Sequence, residues 1–241
     1  EYMAEENDKN PLGWTKDEVL TDEIIKCLDS TEGPDYVYTI STQGHGAYPE
    51  EQLIDDPEIT VTGAATEAQN NQWEYYCNEI HEMDNFVKEL TDALADYPED
   101  VILVMYGDHL PTMGLTVEDL KNKYLFQTEY VMWDNFGMEK KKVNLSAYQM
   151  AAEVMDRAGI HEGTIFRYHQ ARRNTRNYQV DLETLQYDLL YGEKYAYKDK
   201  ELTFERTKMR MGIYDVSWRT ASCGSLPCWV SLSPASLCPS C

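Results

Sequence analysis

Hydrophobic positions along the chain switch between two periods. Residues 35–41, DYVYTIS, are rich in Tyr, Val and Ile, and residues 101–106, VILVMY, are apolar or aromatic at every position. The first reads as a strand, and the second as a strand buried on both faces of a parallel sheet. Residues 128–133, TEYVMW, are a third candidate. Between these runs the spacing becomes helical. Residues 16–28 carry apolar side chains at 19, 20, 24, 25 and 28, and Thr15 with Glu18 has the form of a capping box. Residues 66–94 place Trp73, Tyr76, Cys77, Ile80, Met83, Val87, Leu90 and Leu94 mostly three or four apart, predicting one long helix. Residues 147–158, opened by Ser146 and closed by Gly159, predict another. Strands alternating with helices predict an α/β fold, with residues 37–40, 101–105 and 130–133 in one mixed or parallel sheet.

In such sheets ligands bind beyond the carboxyl ends of the strands. Two motifs fall there. The first strand runs into TQGHGAYP, where His45 stands between two glycines that let a ligand approach the backbone. The second runs into GDHLP, which delivers Asp108 and His109 side by side. A carboxylate and an imidazole are ligands for first-row metals. Adjacent residues on a flat strand point to opposite faces, so sharing one ion requires the chain to turn at Gly107 and Pro111. Both motifs are expected at the same edge of the sheet. Gly-Asp-His after a strand can also be a simple turn, with the aspartate capping local amides. His81 reads as a packing or surface residue, and His161 and His169 have no ligand spacing.

Charge narrows the partners. A net charge of −22 argues against nucleic acid, which needs a basic surface, and against electrostatic docking on an anionic membrane. No stretch approaches the roughly 18–20 apolar residues of a membrane span, and no signal peptide opens the chain. Without an initiator Met, the chain reads as part of a longer protein. Cys27 and Cys77 fit buried thiols in helices. After Asp215 the character changes: Ser, Pro, Leu and Cys recur, and no acidic residue follows. Residues 216–241 are therefore expected to be an irregular tail of non-native character, separate from a domain over residues 1–215 and removable with little loss of stability. Cys223, Cys228, Cys238 and Cys241 include one C-x2-C, a weak zinc signal set against that reading.

The order YTISTQGHGAYP, then YYCNEIHEMDNFVKEL, then VILVMYGDHLP resembles the carboxyl half of the lipoteichoic acid synthase family, over roughly residues 12–200. These are phosphoglycerol transferases of the sulfatase branch of the alkaline phosphatase superfamily. The resemblance implies a partial alkaline-phosphatase-like α/β/α sandwich. It implies one divalent ion, Mn2+ or Mg2+ with Zn2+ and Ca2+ as alternatives, held in part by Asp108 and His109. It implies that His45 contacts the substrate phosphate or the leaving group. Its reaction moves phosphoglycerol from phosphatidylglycerol, an anionic phospholipid, to a polyol-phosphate polymer or glycolipid hydroxyl. Its setting is the extracellular face of a plasma membrane, with an N-terminal membrane anchor.

The departures carry equal weight. In that family the nucleophile is a threonine, and it and a further acidic metal ligand lie upstream of anything present here. Thr112 stands too near the second metal-ligand motif to replace that nucleophile. The chain is therefore expected to hold an incomplete site, without turnover alone. A sulfatase or phosphodiesterase hydrolase of the same superfamily is the near alternative. A non-catalytic binding fragment is the distant one.

Overall fold

The protein is described here by a computed structural model covering residue 5, residues 8–197 and the backbone of residues 228–234. The chain divides into two compact units, Glu1–Gly137 with Ser225–Cys241, and Met138–Gly224.

In the first unit, β1 (Tyr36–Ser41), β2 (Val101–Tyr106) and β3 (Tyr130–Asp134) form where the alternating and apolar runs predict strands. β2 pairs antiparallel with β3, Leu103 opposite Trp133. Val101, Ile102, Leu103 and Val104 are all buried, so β2 is covered on both faces as its unbroken apolar run requires. β1 differs: Tyr36, Tyr38 and Ile40 are exposed on one face.

One face of the sheet packs against α1 (Leu20–Leu28) and α2 (Glu67–Ala95). Ile24 and Leu28 of α1 meet Phe86, Leu90 and Leu94 of α2 over Val101 and Leu103, with Val37, Met105 and Trp133 around them. Burying each such side chain contributes about 1.5–3 kcal/mol, so this cluster fixes how the two helices sit on the strands.

The amino-terminal half of α2 behaves otherwise. Its buried positions are Glu74, Tyr75, Asn78 and Glu79, while Trp73, Tyr76, Cys77 and Ile80 are only partly covered. The loop beyond β1 explains this. Asn78 accepts from the Ile59 amide at 3.0 Å and donates to the Ile59 carbonyl at 2.8 Å. Glu74 accepts from Val61 N at 3.0 Å and Gln52 Nε2 at 2.7 Å. A loop laid against a helix needs partners for its backbone, and polar side chains supply them.

Other expectations change in detail. The Thr15–Glu18 box does not form; the helix opens with a 3-10 turn, Asp17–Val19, whose N-cap is Lys16 without a side-chain cap. Asp17 is drawn inward to Ser41 instead, its carboxylate accepting from Ser41 Oγ at 2.6 Å. Cys27 is exposed, because Ile24 and Leu28 take the buried side of α1, and Cys77 on α2 is only partly covered.

The largest difference lies in the tail. Residues Cys228–Pro234 form β4, inserted between β1 and β2 and parallel to both, in the order β1-β4-β2-β3. The facing edges of β1 and β2 each present unpaired N–H and C=O groups, and WVSL has the Trp, Val and Leu of a strand, which satisfies both edges at once. The irregular reading fails for these seven residues. The rest of 216–241, the boundary at 215/216 and the four terminal cysteine side chains lie outside the described residues.

The second unit holds α3 (Met150–Arg157), α4 (Thr164–Arg172) and α5 (Tyr178–Leu190). Ser146 and Gln149 form a reciprocal capping box ahead of α3. Gly159, at φ 74°, ends it, with Ile160 N returning to Met155 O at 2.8 Å. Between α3 and α4, the Glu153 carboxylate bonds Arg157 Nε at 3.0 Å and the Arg173 guanidinium.

Candidate active site

Because β1 and β2 both run parallel to β4, their carboxyl ends share one edge. Thr39 and Met105 each align with Leu232, which sets Ser41 and Gly107 at one level. The loops bearing His45 and Asp108 leave from there, and they meet. A Cβ built on Gly46 would stand 3.2 Å from Thr112 Oγ1 and 3.3 Å from the Tyr48 ring. Glycine at 46 is what lets the two loops approach this closely.

After Tyr106 the second strand bends. Gly107 N still bonds Glu129 O at 3.2 Å, and Thr128 Oγ1 donates to Gly107 O at 2.5 Å. Beyond that anchor the chain turns, with Asp108 Oδ1 accepting from His109 N at 2.8 Å. The turn brings adjacent side chains together, as an extended strand cannot. His109 Nε2 lies 3.8 Å from Asp108 Oδ1. Its Nδ1 faces the Leu110 carbonyl at 2.8 Å, and since a carbonyl only accepts, Nδ1 carries the proton and Nε2 keeps its lone pair.

That donor set fits a hard divalent ion. Ligands about 2.1 Å from one ion are about 3 Å apart at a right angle and about 4.2 Å apart in opposition, so 3.8 Å lies within range. Among the described residues no group of three His, Cys, Asp or Glu side chains converges as a metal site. Asp108 and His109 offer two donor atoms, not a complete shell.

His45 is half-buried, and its Nδ1 faces the Gly46 carbonyl at 2.6 Å. The same argument puts the proton on Nδ1 and leaves Nε2 as the nitrogen for an external partner. Beneath it the loop is pinned at Gln43, which is 1% exposed. Gln43 Oε1 accepts from Asp17 N at 2.8 Å, and Nε2 donates to Glu82 Oε2 at 2.5 Å. The Gln43 carbonyl accepts from Asn10 Nδ2 at 3.2 Å, which also donates to Glu79 Oε2 at 3.0 Å. Tyr48 OH donates to Gly44 O at 3.0 Å. Burial, reinforced by Tyr76, pushes the Tyr48 phenol up to about 12, so it stays a donor. Trp14 completes the surround, its ring centroid 5.0 Å from that of His45 at 61°.

Asn10, Trp14, Asp17, Gln43 and Glu79 were not singled out from the sequence. A signal existed. NPLGW is a turn sequence directly before a helix, and Glu74, Asn78 and Glu79 form a polar face on α2 at helical spacing. His81 lies near Glu58 at 2.9 Å, and in the second unit His169 is buried against the Tyr178 hydroxyl at 2.6 Å.

An α/β sheet with a histidine loop and an Asp-His turn at one carboxyl edge defines a class, and residues 1–160 match the Sulfatase family. The chain belongs to that family, within the sulfatase and alkaline phosphatase-like superfamily of enzymes. Over 225 residues it is 25% identical to a protein of Rhizobium meliloti (strain 1021) described as "Putative cyclic beta-1,2-glucan modification protein", covering 76% of this chain and 35% of that protein. Its fold matches Streptococcus pyogenes phosphoglycerol transferase GacH, solved in complex with sn-glycerol-1-phosphate, at a TM-score of 0.60 and 21% identity. That match covers 75% of this chain and 50% of GacH. The chain thus spans about a third of the curated relative and half of the solved one.

Proposed function

We propose that this chain forms the metal-holding and phosphate-facing part of a phosphoglycerol transferase site. The observation that carries the reading is the meeting of the His45 loop with the Asp108–His109 turn at one sheet edge, with two metal-competent atoms 3.8 Å apart. The fold match to a phosphoglycerol transferase solved with glycerol phosphate supports this substrate class.

Asp108 and His109 would hold Mn2+ or Mg2+. A divalent ion there would act as a Lewis acid, lowering the pKa of an attacking hydroxyl and drawing charge from phosphoryl oxygens. His45 presents Nε2, which in its protonated form would donate to a phosphoryl or departing oxygen. Trp14 shields one side of that ring from water. In a chain of net charge −22, attraction for an anionic head group has to come from the ion and local dipoles. The donor is an anionic phospholipid and the acceptor a polyol-phosphate or glycolipid hydroxyl. The whole protein works at the extracellular face of a plasma membrane, held there by an anchor outside these residues. Residues 1–241 alone give no turnover.

Two measurements test this. Calorimetric titration with Mn2+ should show weak binding, lowered tenfold or more in Asp108→Ala, since even outer-shell partners of a metal ligand are worth about 10–100-fold. Equal binding by both forms removes the metal assignment. Assaying the longer protein on phosphatidylglycerol against an aryl sulfate should favour the lipid. Preference for the sulfate ester makes the protein a hydrolase of the same family.

A further inference from the structure

We propose that Asn10 and Trp14 act as one clamp on His45, fixing which face and which nitrogen the imidazole offers, and so are positioning residues for the site described above. The purpose of the clamp rests on the proposed function. Its existence rests on geometry alone.

Asn10 is 4% exposed and uses both ends of its amide. Its Oδ1 accepts from Leu12 N at 3.1 Å and Trp14 N at 2.9 Å, while its own N–H donates to Trp14 O at 2.8 Å. These three bonds close residues 10–14 into a turn. Its Nδ2 donates to the Gln43 carbonyl at 3.2 Å and to Glu79 Oε2 at 3.0 Å. One side chain therefore shapes the turn that carries Trp14 and ties it two residues ahead of His45. Aspartate at 10 would lose both donors and set a second carboxylate against Glu79. Only an amide meets all the demands.

Trp14 uses that placement. Its ring stands at 61° to the His45 ring, centroids 5.0 Å apart, the edge-on arrangement aromatic pairs prefer. The imidazole's Nδ1–H also reaches the Gly46 carbonyl. Turning the ring over would put carbon where Nδ1 and Nε2 now lie and break that bond. The indole restricts the turn, and the carbonyl rewards one tautomer. Together they favour the Nδ1–H tautomer of the neutral ring and fix the plane in which Nε2 lies. Misplacement of a reacting group by about 1 Å can cost 10²-fold, so a ring held by two contacts has a clear use in phosphoryl chemistry.

The test reads the ring itself. Long-range 15N–1H correlation spectra of the full 241-residue chain, without ligand and above neutral pH, resolve the tautomers of its five histidines. His45 should be the Nδ1–H tautomer. Trp14→Ala should lose that preference and give Nε2–H signal, and Trp14→Phe should retain it. Asn10→Ala should follow Trp14→Ala. If the buried Asn10 variant fails to fold, Trp14→Ala decides, because Trp14 is only partly covered. His81, on α2 of the same unit and 2.9 Å from Glu58, serves as an internal control for folding. An unchanged His45 tautomer in folded Trp14→Ala overturns the proposal, as does equal loss in Trp14→Phe. Neither result depends on metal or phosphate binding, so failure of the functional reading shows separately in the Mn2+ titration.

Discussion

Gly46 and Thr112 come from two loops 66 residues apart in sequence, yet a single added carbon on Gly46 would sit 3.2 Å from the Thr112 hydroxyl oxygen. The contact couples the histidine loop to the Asp-His turn. Gly46→Ala should destabilise the first unit by about 1 kcal/mol, within the range for overpacking at a tight contact. Thr112→Ala in the same chain should recover part of that loss. A thermal-melt double-mutant cycle should give a coupling of about 0.5–1 kcal/mol, and strict additivity would mean the loops do not touch.

Glu153 is 3% exposed and serves two guanidiniums at once. Burial opposes its charge, but the bonds from Arg173 and Arg157 outweigh burial and hold the carboxyl below its ordinary value. A depressed folded pKa adds stability that is present above the unfolded value and lost as pH falls through the folded one. Glu153→Gln should therefore cost about 2–4 kcal/mol at neutral pH and little at acid pH. Amide hydrogen exchange in α3 and α4 at two pH values checks both magnitude and sign.

Asp17 and Glu79 move the other way. Burial raises both, countered in part by the Ser41 hydroxyl on Asp17 and by Asn10 on Glu79, while Glu82 adds repulsion to each. Lys16 lies 3.4 Å from Glu82 and offsets some of that charge. With raised folded values, their stability term is fully present below the ordinary carboxylate range and fades as pH climbs through the raised values. Asp17→Asn should flatten this decline, keeping the acceptor for Ser41 without a buried charge. Denaturant melts across mildly acid to neutral pH would show the change in slope. A steeper decline in the variant contradicts it.

The elements that sequence made legible are those whose partners are adjacent or apolar. VILVMY announces two-faced burial, and Leu90 and Leu94 announce the core face of α2. The GDH turn was legible because Gly107 interrupts an apolar run. Burial of Glu74, Asn78 and Glu79 was not, since it depends on which loop lies against α2, and periodicity counts only apolar positions. Asn10 and Trp14 escaped for the same reason, being brought to His45 by contacts 33 or more residues distant along the chain. β4 escaped because composition around it suggests disorder, while a slot between two strands rewards even a short run of Val and Leu.

Removal of the chain after Asp215 should therefore be costly. β1 and β2 would each lose a parallel neighbour, leaving two open edges in the middle of the sheet. Truncation should lower the melting temperature by about 10 °C or more, since 1 kcal/mol corresponds to about 2–4 °C in a domain of this size and several bonds are lost. A truncated chain that melts with the full one would show that β4 does not stabilise the sheet.

The place of β4 also sets a timetable for synthesis. β1 and β2 emerge from a ribosome well before the strand that joins them. At about 5–20 residues per second, the more than 120 residues between β2 and β4 take on the order of ten seconds. Throughout that interval the nascent chain carries two unzippered strand borders, and a chaperone or a neighbouring chain can engage them before β4 arrives.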